Sequence, residues 1–311
     1  MITGSEQRPR VSWLRSLIVA MALVPVTALA AGCGSGPHLA STNCLAQARP
    51  AGVVPNFHSA RQLAALMAGQ ARAGGQASGR PCQMVHFRVL DYYAIVSDPR
   101  TAHAYTAFAE DSRDVRVSAL SSAFLHFSNV RAPDFQTASE RMRWQAAGSP
   151  PLPKARRAAT LAFPRGTFSF LPQGRVLTYR DVRSLPTSAK GILVTVAAHL
   201  GPAAGTDPSA TQMLRQLAFL LATAPLSDAA RIATWTAVGS LPGLRLCGGA
   251  ADLAGRHGEG ICAEAAGEQV KIVMDVRRGL VLAVQERLLR QSALYPGVPA
   301  GGMYSSDTFL P

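Results

Sequence analysis

The sequence predicts an α+β fold: a curved antiparallel sheet, made of an N-terminal and a C-terminal meander, with a block of helices packed on one face. Three observations lead there. Apolar and polar residues alternate within 83–146 and again within 244–290, the period of half-buried strands. Between these segments, over 187–240, the apolar residues recur at helical spacing, with capping and stop residues at the boundaries. The late strand signals are joined by tight glycine-containing turns, and strands, then helices, then strands with short connections imply antiparallel pairing with the helices on one side.

The chain has 311 residues, of which 48% are hydrophobic, enough for a single large core. Only 16% are charged, yet the net charge is +13, and Lys154, Lys190 and Lys271 are the only lysines. The arginines stand singly or in pairs, as at Arg141 and Arg143, Arg156 and Arg157, and Arg277 and Arg278. They lack the aromatic interleaving of a single-strand groove and any helix-turn-helix pattern, so no nucleic-acid partner is expected. A solvated basic surface drawn to anionic lipid or cell-wall polymer is the reading they support.

Residues 1–32 read as a cleaved signal peptide. Arg8, Arg10 and Arg15 precede an uncharged run from Ser16 to Ala31, the charged and apolar regions of an export signal. A spanning helix needs about 20 apolar residues, and Pro25 interrupts this shorter run. The segment Leu29-Ala30-Ala31-Gly32-Cys33 resembles a lipobox, with Ala30 where Leu is commonest and Leu29 one place early. That resemblance implies that Cys33 receives diacylglycerol and anchors the chain to the cell membrane on its extracytoplasmic face. Residues 33–43, with Gly34, Ser35 and Gly36, form the flexible tether, and 44–311 form one domain. The alternative is ordinary secretion with Cys33 left free.

In an exported chain the four remaining cysteines are expected as disulfides. The runs Leu244–Ala250 and Glu259–Ala265 form a hairpin with its turn at Ala254-Gly255, a register that sets Cys247 opposite Cys262. By exclusion Cys44 pairs with Cys82. Closing a loop of about 15 residues removes roughly 3 kcal/mol of unfolded-state entropy. A metal or redox site is the alternative, but no C-x-x-C spacing occurs and only His257 lies close to the late pair.

Along the domain, Ser59 caps a helix with Leu63, Leu66 and Met67 on one face, ending near Gly74-Gly75. Residues 83–146 read as a meander of about four strands, with Val85, Phe87 and Val89, then Val115 and Val117, facing inward and Met142 and Trp144 continuing the strand content. Gly148 to Arg183 reads as loop with short strands near Thr167–Phe170 and Val176–Tyr179. Thr187 opens a helix stopped by Gly201-Pro202, Asp207-Pro208 opens a second carrying Met213 to Leu221, and Ser227 opens a third ended by Leu241-Pro242-Gly243. Strands follow at Leu244–Ala250, Gly260–Ala265, Val270–Val276 and Leu280–Leu288.

Several short elements resemble those of a family of actinobacterial exported or membrane-anchored proteins to which no activity is assigned. They are Trp144-Gln145-Ala146-Ala147-Gly148-Ser149-Pro150, Leu185-Pro186-Thr187, Leu241-Pro242-Gly243-Leu244 with Asp252 to Gly258, and Asp275 to Leu282. Ser188-Ala189 and Val276-Arg277-Arg278 depart from the family pattern. The resemblance covers about residues 140–285 and implies a layout similar to lipoprotein-carrier folds, in which a curved sheet wraps helices around a lipid. It defines no catalytic residues.

The sequence contains no nucleophile elbow, zinc-protease motif or Walker loop, and the expectation is a non-enzyme without cofactor or metal. Gly255 to Gly260 joins two strands and reads as a turn. The one acid–base cluster to check is His86 and His126 with Asp91, should they meet across the sheet. Two functions compete. In the first, the domain holds a lipid or other apolar small molecule in a cavity lined by Met213, Leu217, Leu220, Leu221 and Trp235. In the second, it is a surface-tethered interaction or sensor module with a packed core and a basic partner-binding face.

Overall fold

A computed structural model describes residues 57–73, 84–98, 101–118, 123–152, 158–201 and 207–310. The expected signal peptide, Cys33, the expected tether and the expected Cys44–Cys82 pair lie outside the described residues. In chain order the elements are α1 (Ala60–Ala73), β1 (Met84–Val96), β2 (Thr106–Ser118), β3 (Ala123–Asp134), α2 (Ala138–Ala146), β4 (Ala159–Phe163), α3 (Tyr179–Arg183), α4 (Ala189–Leu200), α5 (Ala210–Thr223), α6 (Asp228–Ser240), β5 (Arg245–Leu246), β6 (Ala250–Ala251), β7 (His257–Ala265), β8 (Glu268–Asp275), β9 (Leu280–Leu288) and β10 (Met303–Leu310).

The fold is α+β, with one open antiparallel sheet in the order β4-β3-β2-β1-β10-β9-β8-β7-β5 and β6 paired to β7. The two meanders expected from the sequence are joined by β10, which pairs with β1 on one side and β9 on the other.

The sequence pattern misplaces several elements. The N-terminal meander holds three strands through residue 134, and Met142 and Trp144 lie on α2 rather than on a fourth strand. Thr137 caps that helix by accepting from the Glu140 N–H, a local signal that outweighs the apolar pair. The strand between α2 and α3 is β4. Thr167–Phe170 and Val176–Tyr179 are loop, joined by the Phe170 N–H to Leu177 carbonyl bond, and Tyr179 opens α3 under a Thr178–Asp181 capping box. The caps of α4 and α5 are Ser188 and Ser209, one and two residues beyond Thr187 and Asp207. Leu244–Ala250 is not one strand, because Gly248 takes φ 64° and splits it into β5 and β6. Ser59 and Ser227 do cap α1 and α6.

Helices α1, α4, α5 and α6 share one core with the inner face of the sheet. Alternation supplies Val85, Phe87 and Val89 from β1, Val115 and Val117 from β2, Val270, Ile272 and Met274 from β8, and Phe309 from β10. Helix α5 lies against β7, β8 and β9. At its C-terminal end Arg231 of α6 donates to the Leu221 carbonyl at 3.0 Å, satisfying an acceptor that the helix leaves open.

Beyond Phe309 the inner face turns polar. Asp91 and Asp307 are cross-strand neighbours on β1 and β10. Arg113 bonds Asp91 in a forked pair and reaches Asp307 at 3.2 Å, and Arg215 of α5 bridges Glu286 at 2.9 Å and Asp307 at 3.8 Å. Three carboxylates thus alternate with two guanidiniums in a buried row. Burial raises Asp91 well above the ordinary carboxylate range against the pull of Arg113, with Asp307 pushing the same way, and burial raises Glu286 against Arg215.

A carboxyl with a folded pKa above its unfolded value holds its proton more tightly when folded. Its stabilisation is complete below the unfolded pKa and is lost as pH rises through the folded one. Denaturation midpoints between pH 4 and 8 are expected to fall with rising pH more steeply for the native chain than for Asp91→Asn. Parallel curves would show that Asp91 carries no such proton.

Candidate anion-binding groove on the outer face

In the C-terminal half the same alternation that sends Val270 and Ile272 inward turns Gln269 and Lys271 outward. Register aligns two outward rows. One runs Arg245, Cys262, Lys271, Gln285 and Ser306 across β5, β7, β8, β9 and β10, and the next runs Glu264, Gln269 and Arg287. Directly opposed residues of an antiparallel pair share a face, so each row presents its side chains together.

Residues 247–256 fold back over this face as a strap. Lys271 Nζ donates to the Cys247 carbonyl at 3.1 Å, Gln285 Nε2 to the Ala251 carbonyl at 2.9 Å, and the Leu253 N–H to Thr308 Oγ1 at 3.1 Å. The strap's turn is held by Asp252, which accepts from the Ala254 and Arg256 N–H groups at 2.9 Å each and from Arg256 Nε at 2.7 Å. Arg256 Nη2 continues to the Phe309 carbonyl at 2.6 Å. The strap crosses close to β7: a side chain at Gly260 would lie 2.7 Å from the Gly248 carbonyl oxygen and would meet the Lys271 stem.

Cys247 and Cys262 form a disulfide with Cα atoms 6.0 Å apart, the pairing expected from the sequence. The register differs by two residues. Arg245 stands opposite Cys262, and the Cys247 N–H bonds the Gly260 carbonyl, because the break at Gly248 ends regular pairing before the predicted turn governs it. The staple and Lys271 therefore fasten the same end of the strap.

Between strap and sheet lies an open groove of about 700 Å³ lined by Arg245, Leu246, Cys247, Gly249, Ala250, Ala251, Gln269, Lys271 and Arg287. Arg245 is paired with Glu264, which also accepts from Gln269 Nε2 at 2.9 Å. Lys271 and Arg287 donate to backbone carbonyls, Arg287 to Gly301 at 3.4 Å. Burial lowers the Lys271 pKa below the usual lysine value and Arg287 lowers it further, while Glu259 offsets part of this. Two cations that repel each other, both bonded to neutral carbonyls, line a cleft that an anion can enter.

The residues singled out from the sequence lie elsewhere. Met213, Leu217, Leu220, Leu221 and Trp235 belong to the core, none more than 6% exposed. A concavity beside Val117, Phe168 and Tyr179 holds only about 10 Å³. His86 and His126 do not converge on Asp91. They flank Asp114 on the outer face, His86 bonding it at 3.0 Å and His126 bonding Thr160 Oγ1 at 3.0 Å, whereas Asp91 faces inward. Among the described residues no three His, Cys, Asp or Glu side chains cluster as a metal site would require, and no helix is long and apolar enough to cross a membrane.

Sequence reading missed Arg245, Gln269 and Arg287 as a group. The available signal was the alternation of Gln269 and Lys271 with Val270 and Ile272, next to a cysteine hairpin. Comparison with protein-family models, curated proteins and solved structures finds no match. The segments that carry the resemblance noted above lie at turns and the ends of elements here. Trp144 Nε1 donates to the Pro150 carbonyl at 2.8 Å around Gly148 and Ser149, both at positive φ, and Asp252 to Arg256 forms the turn that leads from the strap into β7.

Proposed function

We propose that the chain is a lipid-anchored, extracytoplasmic interaction module, not an enzyme, and that the groove under the strap binds an anionic partner. The observation that carries this reading is the pairing of Lys271 with Arg287 in a concavity, where burial has weakened the hydration of the lysine and no carboxylate is bonded to either cation among the described residues. A desolvated lysine beside a second cation marks a binding site because an incoming anion relieves both the repulsion and the lost solvation of the lysine. The net charge of +13 adds attraction at longer range. A carrier of apolar ligands would need room beside α5 and α6, where Leu217, Leu220 and Trp235 are packed.

Binding of labelled polyglutamate and polyphosphate by the purified full chain carrying Cys33→Ser tests the groove. Both polyanions are expected to bind. Affinity should drop at least tenfold in Lys271→Gln/Arg287→Gln, weaken with added salt, and decline as pH rises through the lowered lysine pKa. Equal binding by the double variant would remove the groove as the site. The anchor has its own test. Cells given an alkyne-tagged fatty acid should label the native chain and leave Cys33→Ser unlabelled, and label on both would contradict lipidation at Cys33.

A further inference from the structure

We infer that the ligand of this groove is a phosphate-type dianion, gripped between Lys271 and Arg287 with Arg245 at its rim. The inference rests on the anion-binding reading above and adds its chemical class.

The argument is one of charge and spacing. The lining carries three cations, and Glu264 neutralises only Arg245, to which it is paired. Lys271 and Arg287 are left as two positive charges bonded only to neutral oxygens, with Glu259 acting on Lys271 from outside the lining. One carboxylate would satisfy one of them. A phosphate monoester, carrying about −1.5 to −2 at neutral pH, matches both, and its three outer oxygens can accept from several donors at once.

Position fits the same ligand. Arg287 pairs with Gln269, two residues from Lys271 on β8, so the two cations are diagonal cross-strand neighbours about 7–8 Å apart at their origins. Two long, flexible side chains starting that far apart converge on a single tetrahedral group. Arg245 stands in the row of Lys271 with Cys262 between them, about 10 Å away along the row. From there it can reach a second phosphate oxygen or a linked substituent. The Gln269 amide completes the floor, and the disulfide holds the strap above it.

Calorimetric titration of the Cys33→Ser full chain tests the class, using inorganic phosphate, diphosphate and acetate at matched ionic strength. Phosphate is expected to bind at least tenfold more tightly than acetate, with at least tenfold loss in Lys271→Gln and in Arg287→Gln and no change in the distant Arg165→Gln. Thermal melts of each variant separate loss of binding from loss of fold, and Arg287→Gln, whose side chain makes one long hydrogen bond, serves if Lys271→Gln does not fold. Vesicles of phosphatidic acid, whose headgroup is a phosphomonoester, and of phosphatidylcholine, offered to the same proteins, identify the source. Groove-dependent retention on the first alone points to a lipid headgroup, and phosphate binding without retention points to a soluble phosphate. Either supports the assignment. Equal affinity for phosphate and acetate would overturn it, as would phosphate binding that survives both substitutions. Groove-dependent polyglutamate binding with no preference for phosphate would leave an anion site of another class.

Discussion

Helix α5 lies against β7, β8 and β9 with ten of its fourteen residues buried, and the division into a packed inner face and an open outer groove follows from that contact. Met213, Leu214, Leu217 and Leu220 meet Ile261, Ile272, Met274 and Val284 in a single core. Burying side chains of this size is worth roughly 1.5–3 kcal/mol each relative to exposure, so opening the layer to admit a ligand would forfeit several such terms. The inner face is thereby committed to stability. Where it turns polar, Arg113 and Arg215 bond their carboxylates closely, and the row cross-links β1, β2, β9 and β10 to α5. Among the described residues no helix covers the groove on the outer face of the C-terminal strands.

What covers it instead is a strap. The disulfide, the β6–β7 pairing, the Cys247 N–H bond to the Gly260 carbonyl, the bonds with Lys271, Gln285 and Thr308, and the Arg256 contacts to Leu282 and Phe309 hold residues 247–256 in place. The disulfide closes a separation of 15 residues, which in the chain-entropy model is worth about 3 kcal/mol, more than any one of those hydrogen bonds at about 1 kcal/mol. A strap tied down this way shapes a cleft without filling it. Lys271 lies beneath it, where burial and the nearby Arg287 both disfavour its charge.

Much of the fold was legible from residue pattern. Val85, Phe87 and Val89 alternate cleanly because helices cover one face of β1 and solvent the other, and Ser59, Ser227 and Gly201 mark helix ends by their own chemistry. Strand β10 was illegible for a physical reason. Its inward positions are Ser305, Asp307 and Phe309, and Asp307 is inward because Arg113 and Arg215 receive it, so the apolar alternation that reveals a strand is missing. Helix α2 was hidden by Met142 and Trp144, which read as strand residues until Thr137 and Glu140 are recognised as its cap. For the site, the cysteine pair was visible and the groove was not. Arg245, Lys271 and Arg287 lie on three strands, and only the register brings them together.

A crystal of the protein soaked in tungstate, a tetrahedral dianion of phosphate-like shape, tests the central claim most directly through its anomalous signal. The account requires the strongest peak in the groove under the strap, within hydrogen-bonding distance of Lys271 and Arg287. A peak on other arginines with the groove empty would contradict it.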